Sequence, residues 1–326
     1  MGGRDRAGGR DRVASLAGGA RTPARACLES LTDRPLPLYS DRLDVAVLWN
    51  AKAGCTFAVK WLFYHEGILD EALAYSPWVH EYRQQVYCRR PGYADKVRRI
   101  PALGPRAIKF VRNPFDRAVS SYLTFARLAS PTTSPPLRPI LGDTLRSAAR
   151  FARHPRGRTR GALLSEGRRV YTWFRREHAP VIKAISRHLD RPVGHGEGFT
   201  FREFVDALGS LDLDTANPHI KRQIGDCERL GQLPSMTVLR IEESGETLPW
   251  LEDELGLGHS DIARLSSSHH HTRRGEADGF VGDIRFDRSW EGPIPRARSF
   301  YDDALAAAVE RLYGEDIETY GYHLAR

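Results

Sequence analysis

The chain of 326 residues is long enough for one large domain or two small ones, and its 41% apolar content suffices for a sizeable core. It carries 49 Lys and Arg against 41 Asp and Glu, a formal charge of +8 that suits anionic partners. This composition excludes collagen-like, disulfide-scaffold and wholly disordered classes, and no apolar run approaches the ~20 residues that span a bilayer.

Residues 1–40 are rich in Gly, Ala and Arg and lack an apolar h-region, which predicts a disordered basic tail and not a secretory signal. Residues 41–326 contain no internal repeat or linker and are predicted to form one domain. The cysteines include no C-x-x-C pair, so we expect neither a zinc site nor a disulfide framework, and we place the protein in the reducing cytoplasm. The four cysteines are Cys27, Cys55, Cys88 and Cys227.

Strand and helix signals alternate in the first half of the domain. The apolar run Leu43–Trp49 predicts a buried strand, and Thr56–Glu66 predicts an amphipathic helix after a loop of small residues. Arg106–Val111 predicts a further strand, and Asn113 is a good N-cap for a helix that runs to about Leu128.

The second half begins with residues 129–160, where Pro and Arg are frequent and an insertion or substrate-facing lid is predicted. A third strand is predicted at Thr237–Ile241. Further helices are predicted at Arg168–Leu189, Phe201–Leu208, Thr247–Leu255 and Ser299–Tyr313. Strands that alternate with helices predict an α/β fold with a largely parallel sheet.

The first candidate site is the loop between the first strand and its helix, Asn50-Ala51-Lys52-Ala53-Gly54-Cys55-Thr56. Small residues let the backbone curl so that several N–H groups and a helix N-terminus face one point, while Lys52 adds a positive charge. This combination suits a phosphate or sulfate group. It is not a Walker A loop, because Lys52 precedes Gly54. An ordinary strand-to-helix turn is the alternative interpretation.

The second candidate site combines Arg112 with Ser120. An Arg at the end of a strand lies at the carboxyl edge of the sheet, where open α/β folds bind ligands. Ser120 follows about two helical turns later, roughly 10 Å along the helix axis. The pair is placed to hold another anionic group, and the alternative is a surface Arg with an exposed helical Ser.

Together the two sites resemble the nucleotide-binding motifs of sulfotransferases. Lys52-Ala53-Gly54-Cys55-Thr56 is similar to their 5′-phosphosulfate loop, and Phe110–Tyr122 is similar to their 3′-phosphate motif around Arg112 and Ser120. The Cys of the phosphosulfate motif and the Phe-x-Arg of the 3′-phosphate motif are most similar to the carbohydrate sulfotransferases, the Golgi-type or family-2-like group. The chain resembles a bacterial member of that group. Three further segments resemble less specific motifs of the family: His219–Gln223, Val238–Glu242 and Tyr313–Tyr322. The chain departs from the pattern at Phe57 and in the insertion at 129–160.

The resemblance implies a P-loop-like three-layer fold and transfer of a sulfuryl group from 3′-phosphoadenosine 5′-phosphosulfate to a hydroxyl or an amine. The acceptor expected from it is a carbohydrate, a glycoconjugate or another small molecule. In-line transfer needs orientation and charge stabilisation, and we expect Lys52 to neutralise the leaving phosphate oxygen without a metal ion.

A general base should remove the proton of the acceptor, and histidine is well matched to neutral pH. We predict His80 for this role, with an ordinary imidazole pKa, because it lies between the two nucleotide motifs. His65, His219 and the run His269–His271 are the alternatives. The run is also a possible metal site, although a solvated loop is the expected interpretation.

Two other functions compete with this interpretation. A nucleotide or small-molecule kinase would also need a phosphate-binding loop, but the position of Lys52 and the missing acidic end of a strand oppose it. A nucleic-acid-binding protein would explain the positive charge, but no recognition module or basic stripe with interleaved aromatic residues is present. We therefore expect no nucleic acid among the partners.

Overall fold

The computed structural model describes residues 22, 25, 27, 29, 31, 36–103, 106–129, 178–193, 197–233, 235–267, 274–275, 279–287 and 290–324. Its centre is a sheet of four strands in the spatial order β1 Leu38–Ser40, β2 Val45–Trp49, β3 Arg106–Val111 and β4 Thr237–Arg240. β1 is antiparallel to β2, whereas β2, β3 and β4 are mutually parallel. The predicted α/β class with a mostly parallel sheet is therefore confirmed.

Helices separate and follow the parallel strands. They are α1 Cys55–His65, α2 Leu69–Tyr75, α3 Val79–Gln85, α4 Tyr93–Leu103, α5 Pro114–Ala129, α6 Phe201–Leu208, α7 Asp226–Arg229, α8 Ser244–Glu254, α9 Ile262–Ser266 and α10 Asp303–Tyr320. Residues 178–188 are also helical. A separate parallel pair joins β5 Arg274–Gly275 to β6 Ile294–Pro295. In the part of the chain that the structure describes, every helix is too short or too polar to cross a bilayer.

Helix boundaries follow the capping chemistry of the sequence. The Asn113 side chain accepts a hydrogen bond from the Phe115 N–H at 3.0 Å, which confirms the predicted cap of α5. The C-terminal helix begins four residues later than predicted, because the Asp302 carboxylate accepts from the Leu305 N–H at 2.8 Å and caps it there. The predicted helix Arg168–Leu189 is described only from residue 178, and the insertion at 130–160 lies outside the described residues.

The predicted N-terminal tail contributes to the sheet and to a disulfide bond. Leu38–Ser40 forms strand β1, and Cys27 is bonded to Cys227 of α7. The expectation of no disulfide is therefore wrong, since a pairing across 200 residues leaves no local pattern. Disulfides persist where the surroundings are oxidising, so the cysteines no longer support the cytoplasmic location, which stays a prediction.

The described residues form two main buried clusters. One surrounds β2 and β3 and includes the fully buried Trp61 of α1, and the other surrounds Tyr122 of α5 and Phe204 of α6. Tyr122 also donates hydrogen bonds from its hydroxyl to two backbone carbonyl groups, which ties α5 to later parts of the chain. The first cluster packs α1 against the sheet, and the second packs α5 against α6 and α10. The N-termini of α1 and α5 carry the candidate site.

Candidate functional site

The three parallel strands end at one edge of the sheet. Trp49 at the end of β2 pairs with Phe110, and Val111 at the end of β3 pairs with Arg240 at the end of β4. The segments that follow therefore leave the sheet side by side. This edge is where α/β folds with parallel strands bind their ligands.

The loop after β2 has a left-handed backbone at two positions. Lys52 has a φ of 68° and Gly54 has a φ of 75°. A Cβ atom on Gly54 would lie 2.8 Å from the Ile241 side chain, so glycine is required for packing as well as for conformation. A left-handed Lys is uncommon, and such strained residues cluster at ligand-binding sites.

The N-terminus of α1 is open to an anion. No side chain caps the helix, and no acidic residue occupies its first turn. The amide groups of Cys55, Thr56 and Phe57 belong to the first turn, whose N–H groups have no partners inside the helix. These amides and the positive end of the helix dipole can bind a sulfate or phosphate oxygen, as the sequence predicts for this loop.

Lys52 adds a positive charge with an altered pKa. Burial, aided by the positive charges of Arg112 and Arg127, lowers the pKa of its ammonium group to about 8, although Cys55 opposes the shift. The side chain is therefore mostly protonated at pH 7 and loses its charge as the pH rises through about 8. A partly desolvated ammonium interacts more strongly with an anion than an ammonium in bulk water.

Arg112 connects the 3′-phosphate-type motif to the Lys52 loop. Its guanidinium Nη1 donates to the Lys52 carbonyl oxygen at 3.2 Å. Its backbone is held from both sides by the Gln223 carboxamide, which accepts from the Arg112 N–H at 2.9 Å and donates to the Arg112 carbonyl at 2.8 Å. The structure thus brings Lys52 and Arg112 together. Ser120 is half-buried in α5, and in the described part of the chain no hydrogen bond links it to Arg112.

His80 of α3 lies at the phosphosulfate-type loop. Its Nε2 is 3.3 Å from the Thr56 hydroxyl oxygen, and the side chain is buried. Burial and the nearby Arg83 charge lower the pKa of His80 to about 3, so the expectation of an ordinary imidazole pKa is wrong. The ring is neutral throughout the physiological range and has a lone pair available on one nitrogen.

The other candidate bases are distributed differently. His65 lies at the far end of α1, where its ring is 2.9 Å from the buried Glu252 carboxylate. His219 is close enough to the loop for the Lys52 charge to reinforce the effect of burial, and both lower its pKa. Its Nδ1 is 3.0 Å from the Asn217 side-chain oxygen and 3.2 Å from the ring of His178. The run His269–His271 lies outside the described residues.

Residues to which the sequence assigned no role also hold this edge together. The fully buried Asp316 of α10 accepts hydrogen bonds from the backbone N–H groups of Gln223 and Ile224. Arg117 of α5, also buried, donates to backbone carbonyls of two loops. Gln223 and Asp316 lie in blocks that resemble the sulfotransferase family, which is the one signal that could have found them. Their roles depend on the fold and not on a local pattern.

Comparison of the chain with protein-family models, with curated proteins and with solved structures gives no match. The function is therefore inferred from the geometry of the Lys52 loop, Arg112 and His80, together with the motifs in which they lie.

Proposed function

We propose that the protein is a sulfotransferase that uses 3′-phosphoadenosine 5′-phosphosulfate as donor. The observation that carries the proposal is the contact between the two anion-binding motifs at one sheet edge, where Arg112 donates to the Lys52 carbonyl. The donor has two anionic ends, and each of the two motifs offers a cationic side chain with further hydrogen-bond donors. A hydroxyl or an amine of a carbohydrate or glycoconjugate is the proposed acceptor.

The loop and α1 would bind the phosphosulfate end of the donor. Backbone amides of Gly54, Cys55 and Thr56, with the Lys52 ammonium, provide donors of the kind that hold oxyanions at helix N-termini. Arg112 and Ser120 would bind the 3′-phosphate, since a guanidinium forms strong charge-assisted hydrogen bonds with phosphate oxygens. This division of roles follows the order of the two motifs along the chain.

In the transfer step, the donor supplies the sulfuryl group, whose bond to the phosphate oxygen breaks as its bond to the acceptor oxygen forms. Lys52 would neutralise the negative charge that develops on the departing phosphate oxygen. His80 would accept the proton of the acceptor hydroxyl on its neutral imidazole. Its low pKa makes it a weak base before the donor binds, and the negative charges of the bound donor would raise that pKa.

The finer fold assignment belongs to the same proposal. A strand that leads through a Lys- and Gly-containing loop into a helix, followed by another parallel strand and helix, is typical of P-loop-like three-layer folds. Here β2 leads into α1, and β3 leads into α5. We assign the chain to that architecture on this arrangement.

The kinase alternative has less support. An acidic residue, Glu242, does follow β4, where a kinase would place a carboxylate for its metal ion. Its carboxylate, however, accepts hydrogen bonds from the Asn113 N–H at 2.9 Å and from the Tyr322 hydroxyl at 3.1 Å. These contacts assign Glu242 to the cap of α5 and to the C-terminal segment.

The proposal is tested by mass spectrometry of products. Purified protein is incubated with the sulfuryl donor, or with ATP and Mg²⁺, and with a panel of glycans. We expect products heavier by one sulfuryl group with the first donor and none with ATP. The Lys52→Ala variant is the matched control and should be strongly impaired. Phosphorylated products with ATP would refute the proposal, as would a Lys52→Ala variant of full activity.

A further inference from the structure

We infer that Arg117 is a positioning residue for the Lys52 loop, although it would not touch the donor. Arg117 lies one turn into α5, and only 1% of its surface is exposed. Its Nε donates to the Ala51 carbonyl at 3.0 Å, and its Nη2 donates to the Pro218 carbonyl at 3.1 Å. No ion pair within 4 Å joins it to a carboxylate among the residues described, so its buried charge is stabilised there by these backbone carbonyls and by longer-range attraction to Asp316.

The partner at Pro218 belongs to a segment that is itself held firmly. The Ser121 hydroxyl donates to the His219 carbonyl, and the Tyr313 hydroxyl donates to the Ile220 carbonyl at 2.8 Å. The Asn50 side chain donates to the Arg222 carbonyl at 3.0 Å. Arg117 therefore links the Lys52 loop to a segment that is itself hydrogen-bonded to α5 and α10.

Holding one carbonyl orients the next amide group. In a trans peptide, the C=O of one residue and the N–H of the next point in opposite directions. The bond from Arg117 to the Ala51 carbonyl thus directs the Lys52 N–H away from the guanidinium. Arg112 holds the next carbonyl, that of Lys52, in the same way. Two arginines of the 3′-phosphate-type motif therefore stabilise the left-handed conformation at Lys52.

Arginine is suited to this role because its planar fork can reach two carbonyls at once. A lysine at position 117 would keep the charge and satisfy one carbonyl, whereas a methionine would satisfy neither. Arg229 of α7 is a control, because it is an arginine paired with Asp214 and Glu315 and, among the residues described, it donates no hydrogen bond to the Lys52 loop.

The test compares Arg117→Met, Arg117→Lys and Arg229→Met in the full chain. The inference rests on the proposed function for its binding readout. Calorimetry with adenosine 5′-phosphate and adenosine 3′-phosphate should show that Arg117→Met loses about 10- to 100-fold affinity for the first nucleotide and less than about twofold for the other. The affinity of Arg117→Lys for adenosine 5′-phosphate should lie between that of Arg117→Met and that of the unaltered protein. Arg229→Met should change neither affinity.

Amide hydrogen exchange supplies a readout that does not depend on the function. Exchange of residues 50–57 should accelerate in Arg117→Met, while β3 and α10 stay protected, and Arg229→Met should leave the loop unchanged. If the unaltered protein binds neither nucleotide but the loop alone exchanges faster in Arg117→Met, the proposed function fails and the positioning role stands. Equal acceleration throughout the fold, or no change in the loop, overturns the role. If Arg117→Met does not fold, the same criteria apply to Arg117→Lys.

Discussion

The guanidinium of Arg112 donates a hydrogen bond to the carbonyl oxygen of Lys52, across 60 positions of sequence. The contact joins a residue suited to one anion with the loop suited to another. A change at either residue should therefore disturb the hydrogen bond that joins the two motifs proposed to bind the two ends of the ligand. Substitutions that remove one group at a time separate these contributions.

The 3′-phosphate assignment predicts a preference between two nucleotides. The protein should bind 3′-phosphoadenosine 5′-phosphate about 10- to 100-fold more tightly than adenosine 5′-phosphate, since a charge-assisted hydrogen bond contributes ~1.5–3 kcal/mol. Arg112→Ala should remove the preference in calorimetric titrations. Equal affinities in the unaltered protein would contradict the assignment.

The left-handed conformation of Lys52 predicts that a glycine variant is more stable to unfolding than an alanine variant at this position. Lys52→Ala keeps a Cβ atom at a φ of 68°, whereas Lys52→Gly removes it. Lys52→Gly should therefore have a free energy of unfolding about 1 kcal/mol larger than Lys52→Ala, although glycine ordinarily destabilises folded segments. Urea unfolding followed by circular dichroism measures the difference. The reverse order would mean that Lys52 is not held in this conformation in solution.

The pKa of Lys52 predicts how nucleotide affinity depends on pH. An anion binds better to the charged ammonium, whose pKa in the free protein is about 8. Affinity for 3′-phosphoadenosine 5′-phosphate should thus be nearly constant from pH 6.5 to 7.5. It should fall as pH rises through 8, by up to about tenfold per pH unit. The fall should be absent in Lys52→Met, and a fall of equal size in that variant would assign the effect to another group.

The proposed base predicts a specific kinetic loss. His80→Ala should lower turnover by about 10²–10⁴ and leave donor binding unchanged. Because the pKa of His80 is about 3, its protonation should produce no loss of kcat/KM between pH 5 and 7 in the unaltered enzyme. His65→Gln is the control, since that ring contacts Glu252 and not the loop. A fully active His80→Ala enzyme would transfer the role to His219.

Local patterns were sufficient for much of the sheet edge. Strand β3 occupies the residues predicted, and α5 begins where Asn113 and Pro114 predict it, because strand propensity and capping act over a few residues. The curled loop between β2 and α1 was predicted for the same reason, since its small residues allow such conformations. Its role as an anion-binding site stays a prediction.

Contacts between distant residues could not be predicted in the same way. The hydrogen bonds from Arg117 to Ala51 and between Gln223 and the Arg112 backbone depend on which segments the fold brings together. The pKa of His80 likewise depends on burial, which a short motif does not reveal. Strand β1 was missed because three residues carry too little periodicity to identify a strand.

The disulfide between Cys27 and Cys227 closes a covalent ring around most of the candidate site. Lys52 and Arg112 both lie inside the ring, whereas Asp316 lies outside it. A protease that cuts one peptide bond within the ring opens it without producing two separate molecules. Only a thiol reductant would then release the fragments. After such a cut, the redox potential of the surroundings therefore decides whether the fragments stay covalently joined.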